Sequence, residues 1–255
     1  MTERGRSRVT REPGLLAIGG SALSWDGAAL TIDLDEVAAP VPRRIRGAVR
    51  LEPEFLHPAP FALDARGRHA WRPIAPRARV SVDLAAPDLK WRGHGYFDAN
   101  AGSESLSEGF SRWTWSRASL PDGAAILYDA ERRAGGPISL ALRFDGSGRC
   151  ESFAPPPRAD LPRTGWRLAR QTRSEDGRAF VERGFEDTPF YSRSLVSARL
   201  FGARVVWVHE SLSLDRFDLA LVRLMLPFRM PRRQGAGVTA GGPAAAPRPS
   251  RGASS

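Results

Sequence analysis

Apolar and polar residues alternate with a period of two over most of this chain, the spacing of strands that bury one face and expose the other. Residues 44–51 (Arg-Ile-Arg-Gly-Ala-Val-Arg-Leu) and 78–84 (Ala-Arg-Val-Ser-Val-Asp-Leu) show the pattern most cleanly. A short apolar run covers 15–18. The stretches 22–25 and 28–34 flank Asp26-Gly27, a dipeptide favoured in two-residue hairpin turns. Further strands are predicted at 89–96, 111–117, 124–129, 138–144, 166–171 and 179–184, with a pair at 194–201 and 204–210 around Gly202. Asp145-Gly146 marks another turn. Residues 51–76 are proline-rich and read as a long loop holding one short strand, and Pro155-Pro156-Pro157 reads as a linker or crossover. Only 215–226 has helical spacing, through Phe217, Leu221, Leu224 and Met225. The tail 234–255 is rich in Gly, Ala, Pro, Ser and Arg and is expected to be disordered. Many short strands with almost no helix predict an all-β barrel or sandwich. The break near 155 divides it into halves at 1–154 and 155–233.

A length of 255 residues with 42% hydrophobic and 26% charged residues suits a globular core in one large or two small domains. The single cysteine, Cys150, excludes an internal disulfide framework and a cysteine-based metal cluster. His57, His69, His94 and His209 lack zinc-type spacing. The apolar runs are far shorter than the roughly 20 residues that span a bilayer, and the first residues do not resemble a signal peptide. A cytoplasmic protein, soluble or peripherally attached, is expected. The formal net charge of +10 invites a nucleic-acid reading, but Lys90 is the only lysine among 38 basic residues and the arginines are spread along the chain. That bias looks compositional, and no nucleic-acid motif accompanies it. Anionic lipid headgroups are the better match for the charge.

Candidate chemistry is densest at 91–129, which holds Trp91, Trp113, Trp115, Tyr96 and Tyr128 among Asp98, Asn100, Glu104, Glu108, Asp122 and Asp129. Period-two geometry puts Trp113 and Trp115 on one face, with Arg112, Thr114 and Ser116 on the other. Tyr128 and Asp129 must likewise point apart. A plain packing explanation stands beside any functional one: tryptophans in the core, carboxylates solvated or paired with Arg117 or Arg132. His94 lies between two glycines. His209 and Glu210 are adjacent on a strand and therefore face opposite ways, which favours a structural role. Asp215 reads as a helix N-cap. The following helix, with Arg229, Arg232 and Arg233, suits either a membrane surface or the core.

Several ordered strings resemble one family, the acyclic carotenoid 1,2-hydratases or hydroxyneurosporene synthases. They are 93–102 (Gly-His-Gly-Tyr-Phe-Asp-Ala-Asn-Ala-Gly), Phe110 with 112–118, 126–129, 186–193, 209–217 and 226–233. The resemblance implies a lipocalin-like β fold and water addition to the terminal 1,2 double bond of neurosporene-, lycopene- or spheroidene-type polyenes. The partners it implies are the carotenoid, water and the surface of an inner or photosynthetic membrane, with no cofactor. Activity-linked residues carry over to Trp115, Tyr128 and Asp129, while Thr114 departs from the histidine of some members. Hydration needs a proton on C2, a tertiary cation at C1 and capture by water. Asp129 is then expected as an acid kept neutral among aromatics. Trp115, with Trp113, offers the cation a contact worth roughly 2 kcal/mol when desolvated. Tyr128 would hold the water or share the proton relay, and Asp98 would orient the water or act as its base. Tyr96, Phe110 and Trp113 would line the substrate path. Family members usually begin several tens of residues earlier, so the first half is expected to lack strands and this chain alone to fold poorly or be inactive. A lipocalin-like carrier that binds a carotenoid or isoprenoid without turnover is the competing reading.

Overall fold

The period-two stretches are strands almost wherever they occur. A computed structural model describes residues 2–3, 5–38, 41–225 and 230–231. The tail predicted to be disordered, and Arg229, Arg232 and Arg233, lie outside the described residues. The fold is all-β and is built on two antiparallel sheets, with short helices between and after their strands.

After β1 (Thr2–Glu3), the first sheet uses β2 (Val9–Glu12), β3 (Leu15–Ile18), β4 (Ser21–Trp25), β5 (Leu30–Val37), β6 (Arg44–Pro53), β7 (Phe61–Ala62), β8 (His69–Ala86) and β9 (Asp88–Gly102). Its strands meander in sequence order to β6, which pairs with β8. The long β8 carries β9 and the short β7. A one-turn helix, α1 (Leu106–Gly109), leads to the second sheet: β10 (Phe110–Leu120), β11 (Gly123–Arg132), β12 (Pro137–Asp145) and β13 (Cys150–Ser152). A separate hairpin, β14 (Arg158–Leu161) with β15 (Arg170–Arg173), follows. Then come β16 (Ala179–Asp187), β17 (Tyr191–Leu200) and β18 (Ala203–Ser213), with α2 (Leu214–Phe217), α3 (Ala220–Met225) and β19 (Met230–Pro231). The second sheet runs β13-β12-β11-β10-β18-β17-β16, and β1 pairs in parallel with β19. The chain therefore changes sheets at 103–109, and the 155–157 prolines lie beyond that change, between β13 and β14.

Four local expectations are corrected. Residues 69–76 are strand rather than loop, although they contain Pro73 and Pro76. The β8–β9 register shifts between Arg72 and Ala75 and again between Ala75 and Ala78, so each proline sits where the ladder is broken and its missing N–H costs nothing. The turn at Asp26-Gly27 is a four-residue loop, because Asp26 Oδ1 accepts the N–H groups of Ala28 and Ala29 at 2.9 and 2.7 Å, an Asx-type closure. The strand predicted at 166–171 begins only at Arg170, after a turn in which Arg167 has φ 58°. The helix predicted at 215–226 is two short ones. Its N-cap is Ser213, whose hydroxyl accepts Arg216 N–H, and Asp215 falls in the first turn. The pair around Gly202 is confirmed: Phe201 and Gly202 both have positive φ, the geometry of a tight hairpin turn.

The central strands of the second sheet, β10 and β11, are buried on both faces. One packs against the first sheet through Trp71, Phe110, Trp115, Ile126, Tyr128, Leu142 and Phe144. The other carries Leu127, Val196, Leu200 and Trp207, and beside them a polar row covered by β15. In that row His209, 1% exposed, pairs through Nδ1 with Ser116 Oγ and through Nε2 with Ser211 Oγ, each at 2.9 Å. Ser116 Oγ also meets Thr172 Oγ1 at 3.2 Å.

Burial first, and the nearby Arg170 charge second, push the His209 pKa down from 6.5 to about 3. The unfolded chain therefore binds a proton at this residue below pH 6.5 that the folded chain refuses down to about pH 3. Stability is expected to fall with pH across that window by roughly 1.4 kcal/mol per unit from this group alone. Urea unfolding at pH 7, 6 and 5 should show a shallower slope in His209→Gln, and identical slopes would count against a neutral buried imidazole.

Candidate active site

A cavity of about 240 Å³ opens where the two sheets meet. Its walls come from both: Tyr96, Asp98 and Asn100 from β9, Leu106 from α1, Trp113 and Trp115 from β10, Tyr128 from β11 and Glu210 from β18. Strand register explains the grouping. Trp115 stands opposite Tyr128 on one side and Glu210 on the other, and Glu210 stands opposite Arg193 of β17. Residues directly across antiparallel strands share a face, so tyrosine, tryptophan, glutamate and arginine form one row across four strands. On β9, Tyr96 and Asp98 are two apart and project together from the opposing sheet.

Asp98 is held firmly. Its Oδ2 accepts the indole N–H of Trp71 at 2.8 Å and the hydroxyl of Tyr96 at 3.0 Å. Aromatic rings close around it: Trp71 and Tyr128 lie 5.2 Å apart between centroids, Tyr96 and Trp115 4.9 Å, and Trp113 and Tyr128 6.0 Å. Burial, reinforced by the Asp98 charge, raises the Tyr96 phenol well above its ordinary range, and burial does the same to Tyr128. Both stay neutral hydrogen-bonding groups. Burial also raises the Glu210 carboxyl. A hydrogen bond from Tyr191 and the Arg193 guanidinium, 3.5 Å away, oppose it. The Trp115 indole N–H is buried without a protein partner.

Of the residues expected at the site, Asp98, Tyr128, Trp115, Trp113 and Tyr96 are brought together. Phe110 is buried in the same core against His69, behind the lining rather than in it. Asp129 is not among them. It points to the opposite face from Tyr128 and forms a two-pronged ion pair with Arg173 of β15, at 2.8 and 2.6 Å. The expectation of a neutral Asp129 among indoles is therefore corrected: its neighbour is a cation, and it lines a different, polar cavity of about 410 Å³ with Arg112, Glu131, Asp160 and Arg170. Thr114 and Ser211 share that cavity. Arg117, offered in sequence as a carboxylate partner, is buried and donates Nε–H to Pro76 O and an Nη1–H to Ser119 Oγ.

Sequence reasoning missed Trp71, whose strand was hidden by two prolines, and gave Glu210 a structural role. The sign that points to Glu210 is its register opposite Trp115, which no single segment reveals. Among the described residues no cluster of three or more His, Cys, Asp or Glu side chains is placed to hold a metal ion.

Residues 1–239 match the family described as Carotenoid hydratase CrtC. The acyclic carotenoid 1,2-hydratase of Thiocapsa roseopersicina is 55% identical over 234 residues, covering 91% of this chain and 58% of that protein. The enzyme of the same name from Rubrivivax gelatinosus is 47% identical with the same coverage. That from Cereibacter sphaeroides is 40% identical, covering 92% of this chain and 85% of its own length. The chain thus spans under two thirds of the first two relatives. Among solved structures, a protein assigned as AttH from Nitrosomonas europaea superposes with TM-score 0.52 at 13% identity, covering 82% of this chain and 72% of that one. CghA with Sch210972 does so with TM-score 0.50 at 13% identity, covering 81% and 70%. These two likenesses are of fold alone, and the fold is lipocalin-like.

The Asp129–Arg173 pair is largely buried, with side chains 16% and 12% exposed, and Arg173 also donates to Pro156 O at 2.6 Å. Removing one charge from such a pair is costly because the other is left stranded. Asp129→Asn is expected to lower the free energy of unfolding by about 3 kcal/mol. Denaturant titration checks this, and unchanged stability would contradict the structural role.

Proposed function

The chain belongs to the carotenoid hydratase family, and from that premise we propose that it adds water to the terminal 1,2 double bond of an acyclic carotenoid, with Asp98 as the acid. The substrates would be neurosporene-, lycopene- or spheroidene-type polyenes and the products tertiary 1-hydroxy carotenoids. One observation carries the assignment: two donors, Trp71 and Tyr96, converge on a single oxygen of Asp98 inside an aromatic cavity. With Oδ2 occupied, Oδ1 is the oxygen free to hold a proton toward the substrate. As that proton moves to C2, negative charge grows on the carboxyl, and the indole and phenol donors are already aimed at it. Donors fixed in advance on developing charge lower a barrier more than mobile water does. The positive charge left on C1 meets the faces of Trp115, Trp113 and Tyr128, which attract a desolvated cation. Water then completes the alcohol.

A volume of about 240 Å³ suits the end of a long polyene rather than its whole length. The remainder would pass out beside Leu106, on α1. The helices sit close together there, with Ser107 Oγ donating to Asp218 Oδ1 at 3.1 Å. On α3 and just before it, Leu219, Leu221 and Leu224 are 55%, 68% and 79% exposed. We assign this apolar ridge to peripheral contact with the membrane that dissolves the substrate. Among the described residues no helix is long and apolar enough to cross a bilayer.

Asp98→Asn is expected to keep binding pigment while 1-hydroxy product from lycopene falls at least ~100-fold. Trp71→Phe, which removes one donor, should cost roughly tenfold or more. Product is read by mass, and normal turnover in Asp98→Asn would move the acid elsewhere. Leu221→Glu with Leu224→Glu should release the chain from sedimenting anionic-lipid vesicles, and equal sedimentation would remove the ridge from the interface.

A further inference from the structure

We infer that Glu210 is the base of the hydration, taking a proton from the water molecule that captures the cation; the inference rests on the reading of Asp98 as the acid. Addition across a double bond needs two proton transfers at two places, one to carbon and one from water. The cavity offers two carboxyls, and they come from opposite walls: Asp98 from β9 of the first sheet and Glu210 from β18 of the second. A terminal alkene between the sheets would have one on each side. Asp98 is tied on one oxygen by two donors from the first sheet. Glu210 is instead tied to the second sheet, through Tyr191 and through Arg193 at 3.5 Å.

Setting aside Asp98, whose carboxyl supplies the first proton, elimination leads to the same residue. The other polar groups on the cavity wall are Asn100, two phenols and the Trp113 and Trp115 indoles. Burial holds Tyr96 and Tyr128 in their neutral form, so neither phenol is a ready base. An amide and an indole do not accept a proton from water. Glu210 has a side chain 22% exposed, which leaves it a path to solvent that a sealed base would lack. Burial raises its affinity for a proton, and a base closer to neutrality removes a proton from water more readily than an ordinary carboxylate.

The steps balance. The π electrons of the double bond form a C2–H bond with the Asp98 proton, leaving Asp98 ionised and a cation at C1. Water oxygen bonds C1, and its O–H bond breaks with the proton passing to Glu210. Product is the neutral tertiary alcohol. Glu210 then returns one proton to Asp98, directly or by way of solvent, and the site is restored with no other reactant consumed.

The test uses the full chain, lycopene and deuterium oxide. If capture is blocked but protonation is not, the cation reverts by losing a C2 hydrogen, and recovered lycopene gains deuterium. Glu210→Gln is expected to lower 1-hydroxy product at least ~100-fold while recovered lycopene still gains deuterium at the wild-type level or above. Asp98→Asn should lose both signals. Hydration near the wild-type rate in Glu210→Gln, or loss of deuterium together with product in a variant whose circular dichroism is native, would overturn the inference. Deuterium gain in Asp98→Asn would overturn the Asp98 reading and leave Glu210 to be judged by its own variant. If Glu210→Gln does not fold, Glu210→Ala with added formate replaces it: restored hydration supports the base role, and no restoration in the folded protein refutes it.

Discussion

A carboxyl group partly withdrawn from water must find donors, and the whole candidate site is organised around how Asp98 does so. Its partners, the Trp71 indole and the Tyr96 phenol, come from the two strands of one long hairpin, β8 and β9. Trp71 is fully buried, so its N–H has no water to bond and the Asp98 carboxyl satisfies it. The constraint is mutual. Acceptor and donors are each costly to bury alone, and together they fix Asp98 and Tyr96 in the wall of the aromatic cavity.

The second sheet supplies the remaining walls through a different constraint, the alternation of side chains across a strand. Tyr128 and Asp129 are neighbours in the chain and face opposite ways, and the two faces have different chemistry. Tyr128 looks toward the first sheet and joins Trp115 and Glu210. Asp129 looks toward the β14–β15 hairpin, where Arg173 pairs with it and also ties down Pro156. That arginine anchors the proline-rich crossover to the sheet. The polar face with His209, Ser116, Thr172 and Ser211 thus holds the hairpin to the sheet, while the aromatic face carries the cavity walled by both sheets.

Charge distribution follows the same division. The formal net charge of +10 is carried almost entirely by arginine, and many of the guanidinium groups are spent on carbonyls and carboxylates that hold loops and strands in place. Arg170 donates to Pro162 O, and Arg216 to Trp166 O and Pro189 O. Such forked donors suit several fixed acceptors at once. The basic composition is therefore in part a structural resource of this all-β fold. Among the described residues, no arginine lines the aromatic cavity.

The sequence by itself determined the β character, the turns at Gly202 and Asp145, and the pairing of Trp113 with Trp115 on one face, because these depend on local sterics and on a period of two. It also established that Tyr128 and Asp129 point apart. Which of the two meets the cavity was decided only by tertiary structure, since a strand does not encode which of its faces another sheet will cover. Trp71 was hidden for a related reason: prolines are tolerated in β8 only because its register slips opposite them, and that slip belongs to the partner strand as much as to β8. Glu210 and Asp98 lie more than a hundred residues apart, on different sheets. Their meeting is a property of how the sheets pack, and no segment read alone contains it.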